Sequence, residues 1–209
     1  MNRSTAKRLT PLALTASLLL SLAACGDDSP KDDTTATTGT PSDDIDPDDV
    51  AGIITDTPKD VQWQVPDIPS SWKKIVDKPG ESQWQVGTCL FTLNQPAGLG
   101  NDTSPTQDEV LEEFARRIGQ SANSKVTVGE HQTSMFPLVT NKENITATTK
   151  VTHASITGKT GAAGEIYAYR SGDFALVAIT ICGQQDTFND ANESEFAPVI
   201  DKLAVKAEY

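Results

Sequence analysis

The sequence predicts an α+β domain that follows an N-terminal tether. One observation is a helix signal, in which Thr106-Gln107-Asp108-Glu109 has the pattern of a capping box and leads into an amphipathic segment. The other is a β-hairpin, in which residues 164–170 and 173–182 flank a Ser-Gly turn. Its second strand is apolar on both faces, which is typical of a strand inside a covered sheet.

The chain begins with the three parts of a secretory signal. Residues 1–24 contain basic Arg3, Lys7 and Arg8, then an apolar run of 14 residues over 9–22, then small residues. A membrane-spanning helix needs about 20 apolar residues. A removable signal peptide is therefore favoured over a permanent transmembrane helix.

The end of this signal, Leu22-Ala23-Ala24-Cys25, resembles the lipobox of bacterial lipoproteins. The resemblance implies cleavage before Cys25 and a diacylglyceryl group on its sulfur. Two or more acyl chains anchor a protein stably. We therefore expect a lipid-anchored protein on the extracytoplasmic face of the cell membrane; secretion without lipidation is the alternative.

Residues 25–60, which are the lipidated cysteine and the segment after it, are expected to be a disordered acidic tether. From 26 to 60 there are eleven Asp and two Lys, a net charge of −9, with several Thr and Pro between them. Such a composition buries too little apolar surface to offset the entropy of ordering. A calcium loop at 43–49 is the rival interpretation, but the order of ligands in an EF-hand is missing.

Residues 61–209 are expected to form a single domain. Its twelve basic and eighteen acidic residues give a net charge of −6. A negative domain disfavours nucleic acid as a partner.

Several elements follow from local patterns. Residues 83–93 are predicted to be one strand, 62–65 a short edge strand, and 125–132 and 145–157 further strands. A last helix is predicted within 190–203, although Pro198 must either kink it or mark its start.

The first helix is predicted to stop at Gly119 and to carry the ion pairs Glu112–Arg116 and Glu113–Arg117 on a solvated face. The side chains predicted for its buried face are Val110, Leu111, Phe114, Ala115 and Ile118.

The order of these elements resembles the PsbP-like family, including its actinobacterial lipoprotein members. The resemblance covers about residues 61–205 and is carried by Ile68-Pro-Ser-Ser-Trp72, by 173–180, and by Phe196, Val199, Ile200 and Leu203. It implies an antiparallel sheet sandwiched by helices, an α/β/α sandwich. It also implies a protein that binds proteins or envelope components, with no shared catalytic residues to carry over.

The sequence lacks the common catalytic and metal-binding motifs. There is no Gly-x-Ser-x-Gly, His-Glu-x-x-His, Cys-x-x-Cys or phosphate-binding glycine loop. The two histidines, His131 and His153, are interpreted as structural or surface residues. We expect no cofactor, no metal and no enzyme activity; the alternative is a hydrolase of cell-wall polymers using carboxylates such as Glu130 and Glu165.

If Cys25 carries the lipid, Cys89 and Cys182 are the two cysteines left, and both lie in an exported domain. An even pair of cysteines in such a compartment normally oxidises. We therefore predict a disulfide bond between them; the alternative is a pair of buried free thiols.

The sequence also suggests a partner-binding groove lined by Trp63, Trp72, Met135, Phe136 and Leu138. Exposed apolar surface rimmed by polar residues marks interaction sites. The alternative is that the tryptophans close the core and that 135–139 is another strand. A glycan, a lipid or an envelope protein is the expected kind of partner.

Overall fold

The computed structural model describes residues 57–100, 105–141 and 147–209. These lie in the unit Ile45–Tyr209; the first unit, Met1–Asp44, is wholly outside the described residues. The predictions for the signal peptide, Cys25 and nearly all of the tether therefore fall outside them too. No helix of the described part is long and apolar enough to cross a membrane.

The described residues form ten strands, three short or medium α-helices and one π-helical turn. In chain order they are β1 Asp60–Gln64, β2 Lys73–Lys78, β3 Glu81–Val86, β4 Cys89–Asn94, α1 Gln107–Ser121, β5 Val126–Val128, β6 Gln132–Thr140, β7 Ala147–Gly158, β8 Ala163–Ser171, β9 Phe174–Cys182, α2 Gln185–Ala191, the π turn Asn192–Phe196, α3 Ala197–Ile200 and β10 Ala204–Glu208. The α+β class is thus confirmed.

All strands belong to one sheet with the order β1-β10-β6-β7-β8-β9-β4-β3-β2, and β5 pairs with β7 beside β6. Neighbouring strands run antiparallel except β10 and β6, which are parallel. The parallel pair corrects the expectation of a purely antiparallel sheet. It arises because β9 runs opposite to β6 after three antiparallel steps, and the helical segment then reverses the chain once more, so that β10 enters beside β6 in the same direction.

The sheet is strongly curled. β1 stands five places from β9 in the strand order. Nevertheless the indole N–H of Trp63 on β1 donates a hydrogen bond to the carbonyl of Val177 on β9, at 3.4 Å. The sheet therefore wraps around the side chains on its inner face.

Two apolar clusters lie on opposite faces of the sheet. Residues of β9 alternate between them: Leu176 and Ala178 join the cluster under the α2–α3 segment, whereas Ala175, Val177 and Ile179 join the cluster under α1. This alternation is the period of a strand covered on both faces. The interior position predicted for residues 173–182 is confirmed.

Helix α1 begins as predicted, because Thr106 and Glu109 form both hydrogen bonds of the capping box. Its predicted end at Gly119 is wrong. The helix continues to Ser121, and Asn123 then takes a positive φ of 47°. Gly119 is instead a close-approach residue, since a Cβ atom there would lie 2.7 Å from the carbonyl oxygen of Ser124.

The single strand predicted at 83–93 is also wrong, because a two-residue turn splits it into β3 and β4. Val86 pairs with Cys89, and Gly87 between them has φ 59°. Glycine at the first central position is typical of a type II′ hairpin turn. The predicted edge strand near 62–65 is confirmed as β1, which pairs only with β10 in the sheet order.

The last helix begins earlier than predicted and ends before Leu203. A π turn connects α2 to α3, and Pro198 lies in the first turn of α3. The residues after this segment form β10, a strand that the sequence analysis did not predict.

Candidate binding groove

The groove predicted from the tryptophans is not formed. Trp63, Trp72 and Phe136 belong to the core, with 4%, 6% and 4% of their surface exposed. The Trp72 indole donates to the Glu195 carboxylate at 2.9 Å, which fastens the loop before β2 to the π turn. Residues 135–139 lie within β6, so the expected Phe136 loop is a strand. These aromatic residues therefore do not line an exposed surface.

Side chains of β6 alternate across the sheet. Phe136 is buried and Leu138 is half-buried against the same core cluster. Met135 and Val139 point the other way, with 56% and 38% exposed, and Pro137 between them is also exposed. Only the outward half of the predicted patch is thus on the surface, as a row of apolar side chains along one strand.

The described residues also contain a concave surface, an open groove of about 920 Å³ between α1 and β5. Its apolar part consists of Ala115 and Gly119 on the helix and Val126 and Val128 on the strand. Gly119 lets α1 approach the strand closely, since a Cβ atom there would lie 3.4 Å from the backbone nitrogen of Val126. We call this surface the α1–β5 groove.

The rim of the groove carries charge of both signs, with acid in excess. Four carboxylates and two cations give a net charge of −2; they are Asp108, Glu109, Glu112, Glu113, Arg116 and Lys125. An acidic rim over an apolar floor favours an occupant that is basic and partly apolar.

The ion pairs on α1 differ from the prediction in one respect. Glu113 binds both Arg116 and Arg117, at 2.6 Å each. The hydrogen bond from Arg116 is the main cause that holds the pKa of Glu113 below its usual range, with Arg117 adding to it. The predicted Glu112–Arg116 pair is replaced, because the Glu112 carboxylate lies 3.1 Å from the imidazole of His131.

A β-bulge explains how His131 reaches α1. Gly129 bonds to Ser155 on β7, and Gln132 pairs with His153. Between these two pairs the chain from β5 to β6 advances by three residues, whereas β7 advances by two. One residue is therefore extra, and the side chains beside it change direction. His131 consequently lies 3.1 Å from Glu112 and 3.5 Å from Asp108, at the end of the α1–β5 groove.

The carboxylates considered for hydrolysis lie apart in the fold. Glu130 is exposed in the connection between β5 and β6, two strands from Glu165 on β8. Glu165 accepts a hydrogen bond of 2.5 Å from the Tyr167 hydroxyl. Burial and this carboxylate raise the pKa of Tyr167 well above its usual 10.0.

His153 also has a structural environment. Its ring stacks on that of Tyr167, its cross-strand partner, with centroids 5.2 Å apart and planes 8° from parallel. Stacked pairs of this kind add modestly to the stability of a sheet.

The predicted disulfide is confirmed. Cys89 at the start of β4 is bonded to Cys182 at the end of β9. The two strands are neighbours, and Leu90 pairs with Ile181 one position further along. The bond therefore closes the end of a strand pair that lies inside the sheet.

Comparisons with known proteins identify solved structures that this chain is similar to. No family model matches the sequence, and no curated protein matches it. The chain is similar to the solution structure of cyanobacterial PsbP (CyanoP) from Synechocystis sp. PCC 6803, with a TM-score of 0.48 and 8% sequence identity. The match covers 74% of this chain and 96% of that chain. Membership of the PsbP-like family stays a prediction.

Proposed function

We propose that this chain is a non-catalytic binding or assembly module of the cell envelope, held at the extracytoplasmic face of a membrane by a lipid on Cys25. In this proposal the domain is a PsbP-like α/β/α sandwich whose role is to present a surface to a partner. The supporting features are the lipobox at 22–25, the acidic segment after it and the α1–β5 groove.

The single observation that carries the binding role is the α1–β5 groove. It combines an apolar floor, formed partly by Val126 and Val128, with a charged rim along α1. Concave surfaces with this combination are the usual binding sites of proteins. An apolar floor left open to water has a free-energy cost that a bound partner removes.

The acidic segment supports the same role by its reach. As a random coil, its 35 residues would span about 30 to 35 Å, and repulsion among the aspartates extends such a chain further. A domain on this tether would be kept away from an anionic lipid surface. The domain would still be able to contact a partner that lies in the envelope.

Site-specific photo-crosslinking tests this proposal. A photoreactive amino acid replaces Gln120, which is exposed on the rim of the groove, in the full chain expressed in its own cells. The matched control carries it at Gln85, which is exposed on β3 near the other edge of the sheet. We expect a discrete crosslinked partner from position 120 and none from position 85. Equal crosslinking at both positions, or none at position 120, would contradict the proposal.

A further inference from the structure

The outer face of β6 carries three adjacent exposed apolar side chains, Met135, Pro137 and Val139, which we call the β6 row. Helix α1 lies over the same face of the sheet, but it packs on β7, β8 and β9. Among the described residues, the row is therefore left open to water. Such a row gains free energy when a second apolar segment covers it.

The side chains that border the row are polar, and a positive charge lies at one end. Lys150 on β7 is exposed and is the cross-strand partner of Met135. No described carboxylate forms an ion pair with it. At the other end, Val139 pairs with Lys206, whose ammonium group is already bound by Glu208 at 3.0 Å. The row therefore favours an apolar occupant with acidic residues at the Met135 end.

The chain itself contains such a segment shortly before β1. Val50-Ala-Gly-Ile-Ile54 is the longest apolar run between residue 26 and the start of β1 at Asp60, and it lies outside the described residues. Two aspartates, Asp48 and Asp49, come directly before it. The segment therefore has the composition that the row favours, with its acidic residues at its N-terminal end.

The position of β1 brings this segment within reach of the row. β1 is two strands from β6, a distance of about 10 Å. Gln62 on β1 is level with Lys206 and Val139, so Val139 lies about 12 Å from the Cα atom of Asp60. Six residues separate Ile54 from Asp60, and an extended chain of that length spans at most about 20 Å.

The direction of the strands fixes how the segment would lie. β1 runs opposite to β6, because it is antiparallel to β10 and β10 is parallel to β6. A chain that reverses just before β1 therefore runs along β6 from the Met135 end to the Val139 end. Residues 50–54 extend for about 13 Å, which matches the length of the row. Residues 55–58, Thr-Asp-Thr-Pro, are of the types found in reversals.

We propose that residues 48–54 of this chain fold back onto the outer face of β6 and cover the β6 row. The two isoleucines of the segment lie at the Val139 end, and Val50 lies at the Met135 end. The two aspartates lie beside Lys150. This proposal goes beyond the binding role given above and does not depend on the α1–β5 groove.

Oxidation of Met135 by hydrogen peroxide measures whether the row is covered. Met135 is the only methionine beyond position 1, so peptide mapping of the purified full chain by mass spectrometry follows a single thioether. The double variant Ile53→Asp and Ile54→Asp should form the sulfoxide about threefold faster than the wild type, because its segment leaves the row. The matched control, Thr37→Asp and Thr38→Asp, should behave as the wild type does. Equal rates in the wild type and the Ile53/Ile54 variant would overturn the proposal.

Photo-crosslinking identifies what covers the row. A photoreactive amino acid replaces Ile54 in an equal mixture of isotopically light and heavy full chains, and Ala36 is replaced as the control. We expect position 54 to crosslink to the fragment 132–140 within one chain and position 36 to give no such product. Crosslinks between light and heavy chains would mean that a second copy covers the row. Protection of Met135 that appears only with added envelope would mean that a partner does, and either result would overturn the proposal.

A charge reversal tests the orientation of the segment. Lys150→Glu should raise the rate of Met135 oxidation about twofold, as expected for the loss of an exposed ion pair. The double variant Asp48→Lys and Asp49→Lys should do the same, and the combination of all three changes should return the rate toward that of the wild type. Lys125→Glu, an exposed residue beside β5, should have no effect. A combined variant that oxidises as fast as Lys150→Glu or faster would overturn the proposed contact.

Discussion

The rings of Trp63 and Phe136 lie 6.0 Å apart between their centroids, although β10 separates their strands in the sheet. The rings of Phe136 and Tyr167 also pack in a T-shaped arrangement, with their centroids 5.9 Å apart. One core cluster therefore joins β1, β6 and β8 on the inner face of the curled sheet. The apolar row on the outside of β6 is a separate surface.

Neighbouring substitutions on β6 should distinguish these two surfaces. Phe136→Ala removes a buried ring and should lower the free energy of unfolding by about 3 to 5 kcal/mol. Met135→Ala changes an exposed side chain of the same strand and should change it by no more than about 0.5 kcal/mol. Urea unfolding of both variants measures the difference. Similar stabilities of the two variants would show that the alternation of β6 is misassigned.

The elements that could be predicted from the sequence are those specified locally. The capping box at Thr106 and Glu109 fixes the start of α1, and the turn with Gly172 fixes the central hairpin, because neighbouring residues supply all the necessary contacts. β10 could not be predicted, since its pairing with β1 and β6 depends on distant parts of the chain.

Two glycines have structural roles that the local sequence pattern did not indicate. Gly119 has the sequence context of a helix stop, but the structure uses it for close approach to Ser124. Gly87 interrupts a run that is otherwise typical of one strand, and only the pairing of Val86 with Cys89 identifies the turn. The α1–β5 groove could not be predicted either, because it depends on where α1 packs and on the bulge that places His131.

The buried phenol of Tyr167 should make stability depend on alkaline pH. Its pKa is raised in the folded protein, mainly by burial and then by Glu165. The stabilisation that the neutral phenol provides is therefore fully present below about pH 10, the pKa of tyrosine in the unfolded chain. It is lost as the pH rises toward the pKa of the folded protein, by at most about 1.4 kcal/mol per pH unit. Urea unfolding from pH 8 to 11 should show a shallower decline for Tyr167→Phe. Tyr169→Phe serves as the control, and an identical decline in wild type and Tyr167→Phe would contradict this account.

The disulfide should contribute strongly to stability. Cys89 and Cys182 are separated by 93 positions, and closing a loop of that length stabilises by about 4 to 5 kcal/mol in the chain-entropy model. The Cys89→Ser and Cys182→Ser double variant should lose about this much in urea unfolding. Mass spectrometry after alkylation without reductant provides the control, because modification of both thiols in the native chain would mean that the bond is absent.

Cys25→Ala tests the anchor. If Cys25 carries the lipid, this variant should no longer be cut before position 25 and should yield no lipidated mature protein. Labelling with a radioactive fatty acid and fractionating the cells measures both results. Ser29→Ala, just beyond the lipobox, should behave as the wild type does. A Cys25→Ala chain that still incorporates fatty acid at the mature size would contradict the assignment.

The central claim is that a partner occupies the α1–β5 groove, and amide hydrogen exchange of the full chain with and without solubilised envelope tests it most directly. We expect the fragment 122–131, which contains β5, to exchange at least tenfold more slowly with envelope present, while the fragment 73–79, which contains β2, stays unchanged. Slower exchange at 73–79 with no change at 122–131 would contradict the claim.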